Sequence, residues 1–275
     1  YSLYLRRALD ALTLNPSPGG RGTSDFSSPS GKERWGVKAA TTAQLHIARR
    51  FESWMFNPYQ RVVVVSDRDR DELLRLNPAL PIEVIPNGVD TYYFRRARAN
   101  RKARALLFVG NYEYPPNVDA ALRLAREILP QVQKRVPDVK LWLVGNAPPP
   151  AVQALASEAV RVTGRVPDVR PYLARAAAFV CPLRYGAGIK NKVLEALAIG
   201  CPVAATPLSV DGIAVQDGHS ALIADGDALI TAIVRLLTEP DLQRRLADSG
   251  RALIEQQYSW SRVAEMYEDV YGTAN

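Results

Sequence analysis

Residues 180–206 constrain the fold more than any other stretch, because they have the pattern of a strand, a loop, a helix and a second strand. Residues 179–181 form a short apolar run typical of a buried strand, and residues 182–188 interrupt regular structure with one proline and two glycines. Apolar residues then recur at helical spacing from Ile189 onward, and Gly200 ends that pattern. The stretch therefore predicts a βαβ unit with a glycine-bearing loop before its helix.

Strand and helix patterns alternate throughout the second part of the chain. This alternation predicts an α/β fold with a doubly wound parallel sheet, in which ligands bind at the carboxyl ends of the strands. Glycines that follow the predicted strands would line one edge of one crevice. The strands are predicted at 106–109, 141–144, 160–163, 179–181, 202–205 and 221–223, and the helices at 118–132, 152–156, 169–177, 228–237, 241–257 and 260–270.

The front of the chain has a different character. Residues 1–40 are predicted to be a flexible segment, because residues 15–32 are rich in Pro, Gly and Ser; a short helix is predicted at residues 4–14. A helix is predicted at residues 41–56, with a core-facing stripe, and the valine run 62–65 predicts a fully buried strand. The stripe consists of Ala43, Ile47, Phe51 and Trp54.

Four regions follow from these patterns. They are the flexible segment 1–40, a helix-and-strand region at 41–94, an α/β domain at 95–258 whose strand ends would bind a ligand, and a C-terminal helix at 259–275. The boundary is placed at the basic segment 95–104, which is poor in apolar residues.

The charge distribution bears on which partners the protein could bind. The first 105 residues hold 18 Lys+Arg against 10 Asp+Glu, a balance of +8, whereas the remainder holds 17 against 18. The basic front permits contact with an anionic membrane surface, although a solvated basic surface is the plainer alternative. No basic stripe interleaved with aromatic residues supports a nucleic-acid partner. The sequence predicts a cytoplasmic protein, with peripheral contact with the inner face of the membrane as the alternative.

The sequence contains few residues suited to metal binding or to redox chemistry. Only two histidines are present, His46 and His219, which excludes a histidine-rich metal site. The two cysteines stand in apolar surroundings and are predicted to be buried free thiols. Asp-x-Asp pairs occur at 67–69, with an overlapping pair at 69–71, and at 225–227, but all have the pattern of a helix start rather than of a metal site. We expect no obligatory metal and no cofactor.

The predicted helix start after the glycine-bearing loop is suited to an anion. Unpaired N–H groups and the positive end of the helix dipole favour negative charge there, and Gly186 and Gly188 allow close approach of a ligand. Lys190 adds positive charge in the predicted first turn, and the carboxylate of Glu195 could accept two hydrogen bonds from a vicinal diol. Phosphate and diol recognition together suit a nucleotide. The alternative is an ordinary crossover with solvated Lys190, Lys192 and Glu195.

Several short motifs in this order resemble the donor half of a glycosyltransferase family 4 enzyme. They are Ile85-Pro-Asn-Gly-Val-Asp90, Leu107-Phe-Val-Gly110, Leu143-Val-Gly145, Val162-Thr-Gly164 and Lys190-x4-Glu195-Ala-Leu. The resemblance covers about residues 61–272 and implies the GT-B architecture of two Rossmann-like domains. It implies that residues 41–94 are the remnant of the N-terminal acceptor domain and that residues 95–258 bind the nucleotide-sugar donor. It also implies that the C-terminal helix 259–275 crosses back to the N-terminal domain. The loop at residues 114–120 resembles a subgroup linked to bacterial exopolysaccharide assembly.

The resemblance also implies roles for single residues. Glu195 would hold the ribose hydroxyls, and Lys190 with the N–H groups of Gly188 and Ile189 would hold the diphosphate. The main chain at Arg165 and Val166 would border the base. The candidate donor-binding residues are Gly110, Gly164, Arg165, Val166, Arg184, Gly186, Ala187, Gly188, Ile189, Lys190 and Glu195.

Two departures from the family pattern bear on the donor site. Ala187 occupies the position, eight residues before Glu195, where the family usually carries another glutamate; the N–H groups of Ala187 and Gly188 are the candidate replacements. The segment 111–117 lacks the arginine and lysine that the family often places around the phosphate, so phosphate binding would depend more on Lys190, with Arg184 as a helper.

The leading hypothesis is a retaining sugar transferase that moves a sugar from a nucleotide diphosphate sugar to a glycan or lipid-linked acceptor. The alternative is a nucleotide-sugar-binding module that transfers nothing, because only about 90 residues precede the boundary where an acceptor domain is expected. A different nucleotide-binding Rossmann enzyme is a third hypothesis. The absence of a GxGxxG pattern argues against it.

Overall fold

A computed structural model of the chain describes residues 31–96 and 104–272, with side chains described from residue 39 onward. These residues form two compact units. The first contains residues 31–84 together with 185–187, and the second contains residues 85–96, 104–184 and 188–272. The predicted helix at 4–14 lies outside the described residues, as do most of the predicted linker 15–32 and residues 97–103 of the predicted boundary segment.

The first unit contains two helices and two parallel strands among its described residues. Its elements in chain order are α1 (Gly31–Met55), β1 (Val62–Val64), α2 (Asp67–Leu76) and β2 (Ile82–Val84). Helix α1 begins at Gly31, so residues 31–40 are not part of a flexible segment as predicted. Lys, Glu, Arg and Ala, which favour helices, dominate residues 32–40 and extend the helix backward from Thr41.

The start of α2 confirms the interpretation of the first Asp-x-Asp pair. The Ser66 hydroxyl accepts a hydrogen bond of 3.2 Å from the backbone N–H of Asp69, as an N-cap residue does. Asp67 and Asp69 lie in the first turn, where their negative charges complement the helix dipole. The pair is therefore a helix start.

The stripe on α1 that was predicted to face the core is exposed. Ile47, Phe51 and Trp54 are 70%, 48% and 58% exposed, whereas Leu45 and Ala48 on another face of the helix are buried. Helical spacing shows which residues share a face but does not show which neighbour covers that face. The prediction of core packing for this stripe was wrong.

Strand β1 is only partly covered, although its valine run predicted a fully buried strand. Val62 is buried, but Val63 and Val64 are half-buried. Among the described residues of the first unit, β1 pairs with β2 alone. A valine run becomes fully buried only where further layers cover both faces of its sheet.

The second unit contains the predicted doubly wound sheet. Six strands among its described residues are all parallel and lie in the order β5-β4-β3-β6-β7-β8. These strands are β3 (Ala105–Val109), β4 (Lys140–Val144), β5 (Val160–Val162), β6 (Ala178–Cys181), β7 (Val203–Ala205) and β8 (Leu222–Ile223). Most strand residues are fully buried, because helices cover a parallel sheet on both faces.

Helices connect the strands from β3 to β7 as the alternating pattern predicted, and three further helices of the described residues follow β8. They are α3 (Pro115–Arg123), α4 (Leu129–Gln133), α5 (Pro150–Gln153), α6 (Arg170–Arg175), α7 (Asn191–Ala198), α8 (Gly226–Thr238), α9 (Pro240–Gln257) and α10 (Trp260–Gly272). A π-helical segment at Leu124–Ile128 joins α3 to α4. Pro130 explains this segment, because its ring lacks an N–H and would clash with the carbonyl of Arg126 in a regular α-helix.

The C-terminal helix α10 begins against the start of the second unit. Val89 and Ser259 form a parallel bridge, and the N–H of Val89 donates to the carbonyl of Tyr258 at 2.8 Å. A Cβ atom on Gly88 would lie 2.6 Å from the Trp260 ring, so only glycine fits beside this indole. The first segment of the second unit is therefore in contact with the start of its last helix.

Two further features of the described residues bear on the predictions. Cys181 and Cys201 are buried free thiols, as predicted. None of the helices of the described residues has the length and apolar character that crossing a membrane requires.

Candidate functional site

The strand order of the second unit creates a crevice at its centre. The chain begins at β3, moves outward through β4 and β5, and returns to pair β6 on the other side of β3. The connections that follow β3 and β6 therefore diverge, and ligands of open α/β sheets bind where such neighbouring strands diverge. The segments that follow β3 and β6 contain most of the predicted site residues.

Three glycines meet at the carboxyl edge of β3, β4 and β5. Gly145 donates its N–H to the carbonyl of Gly164 at 3.2 Å, and Gly110 donates to the carbonyl of Val144 at 3.0 Å. A Cβ atom on Gly145 would lie 1.7 Å from the Gly110 carbonyl oxygen, so the two backbones approach too closely for any side chain. The structure thus brings Gly110 and Gly164 together through Gly145.

The loop between β6 and α7 contains two glycines with positive φ angles. Gly186 has a φ of 131° and Gly188 a φ of 68°, values that favour glycine. A Cβ atom on Gly188 would meet no atom within 4 Å, so open space borders its backbone. Gly186 and Ala187 belong to the compact unit of residues 31–84, whereas Gly188 belongs to the second unit.

Lys190 lies immediately before helix α7. It is the N-cap residue with an extended backbone (φ −95°, ψ 91°), so the prediction that it lies in the first turn was wrong by one position. Its side chain is buried, and its Nζ donates to the carbonyl of Gly188, which folds the lysine back over its own loop. Ile189 beside it is also buried. Lys190 is therefore not the solvated lysine of an ordinary crossover.

Glu195 lies on α7, half-buried. Burial raises the pKa of its carboxyl to about 7, and the positive charge of Lys192 opposes that rise. A carboxyl group with this pKa changes its charge near neutral pH. The ionised carboxylate can accept hydrogen bonds from a ligand, and those hydrogen bonds would in turn favour the ionised form.

The raised pKa predicts a pH-dependent stability. The unfolded chain releases the Glu195 proton near pH 4.5, but the folded chain keeps it until about pH 7. The free energy of unfolding should therefore fall as the pH rises from 4.5 to 7, by up to about 3 kcal/mol from this group alone. Urea unfolding between pH 4.5 and 8 measures this, and Glu195→Gln should remove the decline. Identical pH profiles for the two proteins would contradict the assignment.

Lys192 is the residue that the sequence analysis missed. Its Nζ donates to Oδ1 of Asn117 and lies 4.6 Å from the centre of the Phe108 ring. Burial lowers the pKa of the ammonium group, although Cys181 and Glu195 act in the opposite direction. The local sequence at residues 190–195 could not reveal this, since a lysine in a first helical turn is usually solvated.

The predicted helper Arg184 has another partner. Its guanidinium donates to both carboxylate oxygens of Asp119 on α3, with the Nε contact at 2.9 Å. Such a bidentate pair holds the planar guanidinium against the carboxylate. The structure therefore gives Arg184 an ion-pair partner on α3, and its role beside the phosphate stays a prediction.

The remaining predicted residues border the β5 end of the sheet. Arg165 is exposed and Val166 is half-buried, in the loop after Gly164. Gly164 has a φ of 67°, and a Cβ atom there would meet nothing within 4 Å. Open space therefore borders the Gly164 backbone at this edge of the sheet.

Acidic residues outside the candidate site have structural roles. Asp225 is the N-cap of α8 and accepts from the N–H of Gly226 at 2.7 Å, which confirms the interpretation of the Asp-x-Asp pair at 225–227. Arg123 also donates to this carboxylate. Within the residues that the structure describes, no group of three or more His, Cys, Asp or Glu side chains could hold a metal ion.

Comparison with known families assigns both parts of the chain. Residues 103–239 match the family model described as Glycosyl transferases group 1, and residues 25–93 match Glycosyltransferase Family 4. The chain belongs to glycosyltransferase family 4. The resemblance carried by the short motifs is confirmed.

Curated relatives of this glycosyltransferase chain are longer. Alpha-maltose-1-phosphate synthase of Mycolicibacterium smegmatis is 31% identical, with 76% of this chain and 62% of that protein covered. Phosphatidyl-myo-inositol mannosyltransferase of Mycobacterium tuberculosis is 29% identical, with 69% and 53% covered. The chain therefore spans a little over half the length of these relatives.

Solved structures of the same fold belong to glycosyltransferases. Sucrose-phosphate synthase of Thermosynechococcus elongatus superposes with a TM-score of 0.69 at 22% identity, covering 83% of this chain and 62% of that chain. Anabaena HepE, solved in complex with UDP-glucose, superposes with a TM-score of 0.68 at 13% identity, covering 88% and 77%. These likenesses confirm the predicted α/β fold class of the GT-B glycosyltransferases.

Proposed function

We propose that the second unit binds the nucleotide of a nucleotide diphosphate sugar and that the protein transfers the sugar to a glycan or lipid-linked acceptor with retention of configuration. The observation that carries the proposal is the composition of the central crevice. Glycine backbones, a buried lysine at a helix start and an acceptor carboxyl group all follow neighbouring strands of one sheet. Together these groups suit the diphosphate and the ribose of a nucleotide.

Each part of the site suits one part of this donor. The start of α7 with Lys190 offers N–H groups and positive charge to a diphosphate, where negative charge develops as the sugar leaves. Glu195 offers its two oxygens to the ribose hydroxyls. The main chain after Gly164 can border the base.

The relatives support this proposal by their names. One is a synthase of a maltose phosphate and another a mannosyltransferase that acts on a phosphatidyl-inositol lipid. The HepE structure contains a nucleotide sugar. A role in bacterial polysaccharide assembly and a lipid-linked acceptor are consistent with these names, and the +8 balance of residues 1–105 favours contact with anionic membranes. We further propose that the reaction needs no metal and no cofactor.

A turnover assay tests the proposal. The full chain is incubated with UDP-, GDP- and ADP-sugars, and release of the nucleoside diphosphate is followed with soluble glycans or with anionic vesicles that carry lipid-linked glycans. The proposal expects acceptor-dependent release from one class of sugar nucleotide, and a product with the anomeric configuration of the donor. If the protein binds a sugar nucleotide but forms no nucleoside diphosphate in any mixture, sugar transfer is contradicted.

Replacing Lys190 by alanine tests the phosphate role. Loss of the charge is expected to weaken binding of a nucleoside diphosphate by about tenfold, because a hydrogen bond to a charged group contributes roughly 1.5–3 kcal/mol. Binding of the parent nucleoside should change by less than about twofold. Calorimetric titration of both ligands measures the difference. Equal losses for the two would show that Lys190 only maintains its loop.

A further inference from the structure

Lys192 joins the two sides of the central crevice. It extends from α7, which follows β6, and its Nζ donates to Asn117 in the first turn of α3, which follows β3. The same ammonium group lies over the ring of Phe108 in β3, at a distance favourable for a cation–π interaction. β3 and β6 are neighbouring strands whose following connections lead toward opposite edges of the sheet. The contact between Lys192 and Asn117 therefore links these two connections where they diverge.

Asn117 in turn determines the shape of the segment 110–117. Its Nδ2 donates to the carbonyl of Asn111 at 2.6 Å, and its own N–H donates to the carbonyl of Tyr114 at 2.9 Å. A Cβ atom on Gly110 would lie 3.0 Å from Asn117 Cγ, so the amide group packs directly on that glycine. Asn117 is buried, and its amide oxygen accepts from Lys192 while its amide nitrogen donates to the loop.

The charges around Lys192 connect it to Glu195. Both residues lie on α7, three positions apart, where helical side chains are neighbours. The positive charge of Lys192 lowers the pKa of the Glu195 carboxyl against the effect of burial. The other titratable groups beside this ammonium are the Cys181 thiol in β6 and, through that thiol, Lys190 before α7.

We propose that Lys192 is a positioning residue of the nucleotide site. Through Asn117 it fixes the segment 110–117 against the start of α7, and through its charge it favours the ionised form of Glu195. The inference rests on the proposed nucleotide binding and assigns to it a residue that the motif resemblance did not include. The two effects have separate measurable consequences, one for affinity and one for its pH dependence.

A double-mutant cycle tests the first effect. Lys192→Met removes the charge and the hydrogen bond at similar side-chain length, and Asn117→Ala removes the partner. Each variant of the full chain is titrated with UDP, GDP and ADP. Each single change is expected to weaken binding about tenfold, and the double change by about the same factor, because coupled residues are not additive. Losses that multiply to about a hundredfold would overturn the coupling.

The pH dependence of binding tests the second effect. Affinity of the wild type should rise as the pH passes about 7, since ionised Glu195 is the better acceptor. Lys192→Met should move that midpoint to higher pH, whereas Asn117→Ala and the charge-preserving Lys192→Arg should leave it in place. A purely structural role would not move the midpoint, so an unshifted midpoint in Lys192→Met overturns this effect.

The controls separate this inference from the proposed function. Wild type that binds none of the three nucleotides contradicts the proposed function and with it the role of Lys192. Wild type that binds while Lys192→Met binds equally well contradicts only the role of Lys192. If Lys192→Met does not fold, the comparison of Lys192→Arg with Asn117→Ala decides: the arginine variant should bind within about threefold of wild type, and a loss equal to that of Asn117→Ala overturns the role.

Discussion

Replacing Glu195 by alanine is expected to weaken binding of a nucleoside diphosphate by about a hundredfold and to leave the fold intact. Two hydrogen bonds from ribose hydroxyls to a carboxylate are lost, and each bond to a charged group contributes roughly 1.5 kcal/mol or more net of competition with water. The fold should persist, because the variant removes a carboxyl group whose ionisation burial opposes. Calorimetric titration at pH 8 measures the affinity, and thermal unfolding checks the fold.

Inorganic pyrophosphate provides the matched ligand for this experiment, since it carries the diphosphate without the ribose. Glu195→Ala should bind pyrophosphate as wild type does. Glu158→Ala provides the control variant, because the Glu158 side chain is 97% exposed and lies outside the site. An unchanged affinity of Glu195→Ala for the nucleoside diphosphate would contradict the ribose assignment.

Replacing Gly145 by alanine is expected to destabilise the second unit severely. The new Cβ would lie 1.7 Å from the Gly110 carbonyl oxygen, and the φ of 150° is unfavourable for alanine. Because backbone atoms on both sides are held by the sheet, the clash cannot be relieved by a side-chain movement. We expect a loss of about 4 kcal/mol or more in the free energy of unfolding, or a failure to fold.

The control for this prediction is Gly218→Ala. Gly218 also has a positive φ, 71°, but a Cβ atom there would meet nothing within 4 Å. Gly218→Ala should lower the free energy of unfolding only through the unfavourable backbone conformation, by about 1–2 kcal/mol. Urea unfolding of both variants measures the difference. Similar losses would show that the close approach at Gly145 is relieved by movement of the loop.

The sheet was predictable because its signals are local. Short apolar runs mark the strands from β3 to β7, a glycine closely follows β3, β4 and β5, and helical periodicity marks the connections between the strands. The N-caps Ser66 and Asp225 were likewise predictable, since a cap is defined by a side chain and the N–H groups that follow it. The position of the crevice between β3 and β6 was not predicted, since it follows from the order of the strands in the structure.

What the sequence could not show are contacts between distant segments. Lys192 meets Asn117, and Arg184 meets Asp119, only because β3 and β6 are neighbours in the sheet. Ile47 and Trp54 share a face of α1 as the spacing predicted, but spacing contains no information on what covers that face. Lys190 was placed one position too far into its helix because helix ends depend on cap geometry.

The central claim is that the crevice of the second unit is a nucleotide site, and calorimetric titration of the full chain with UDP, GDP, ADP and NAD tests it most directly. The account predicts saturable binding of one nucleoside diphosphate at one site per chain, in preference to NAD, and strong loss of that binding in Glu195→Ala. Binding of NAD in preference to every nucleoside diphosphate, or no binding of any of the four, would contradict it.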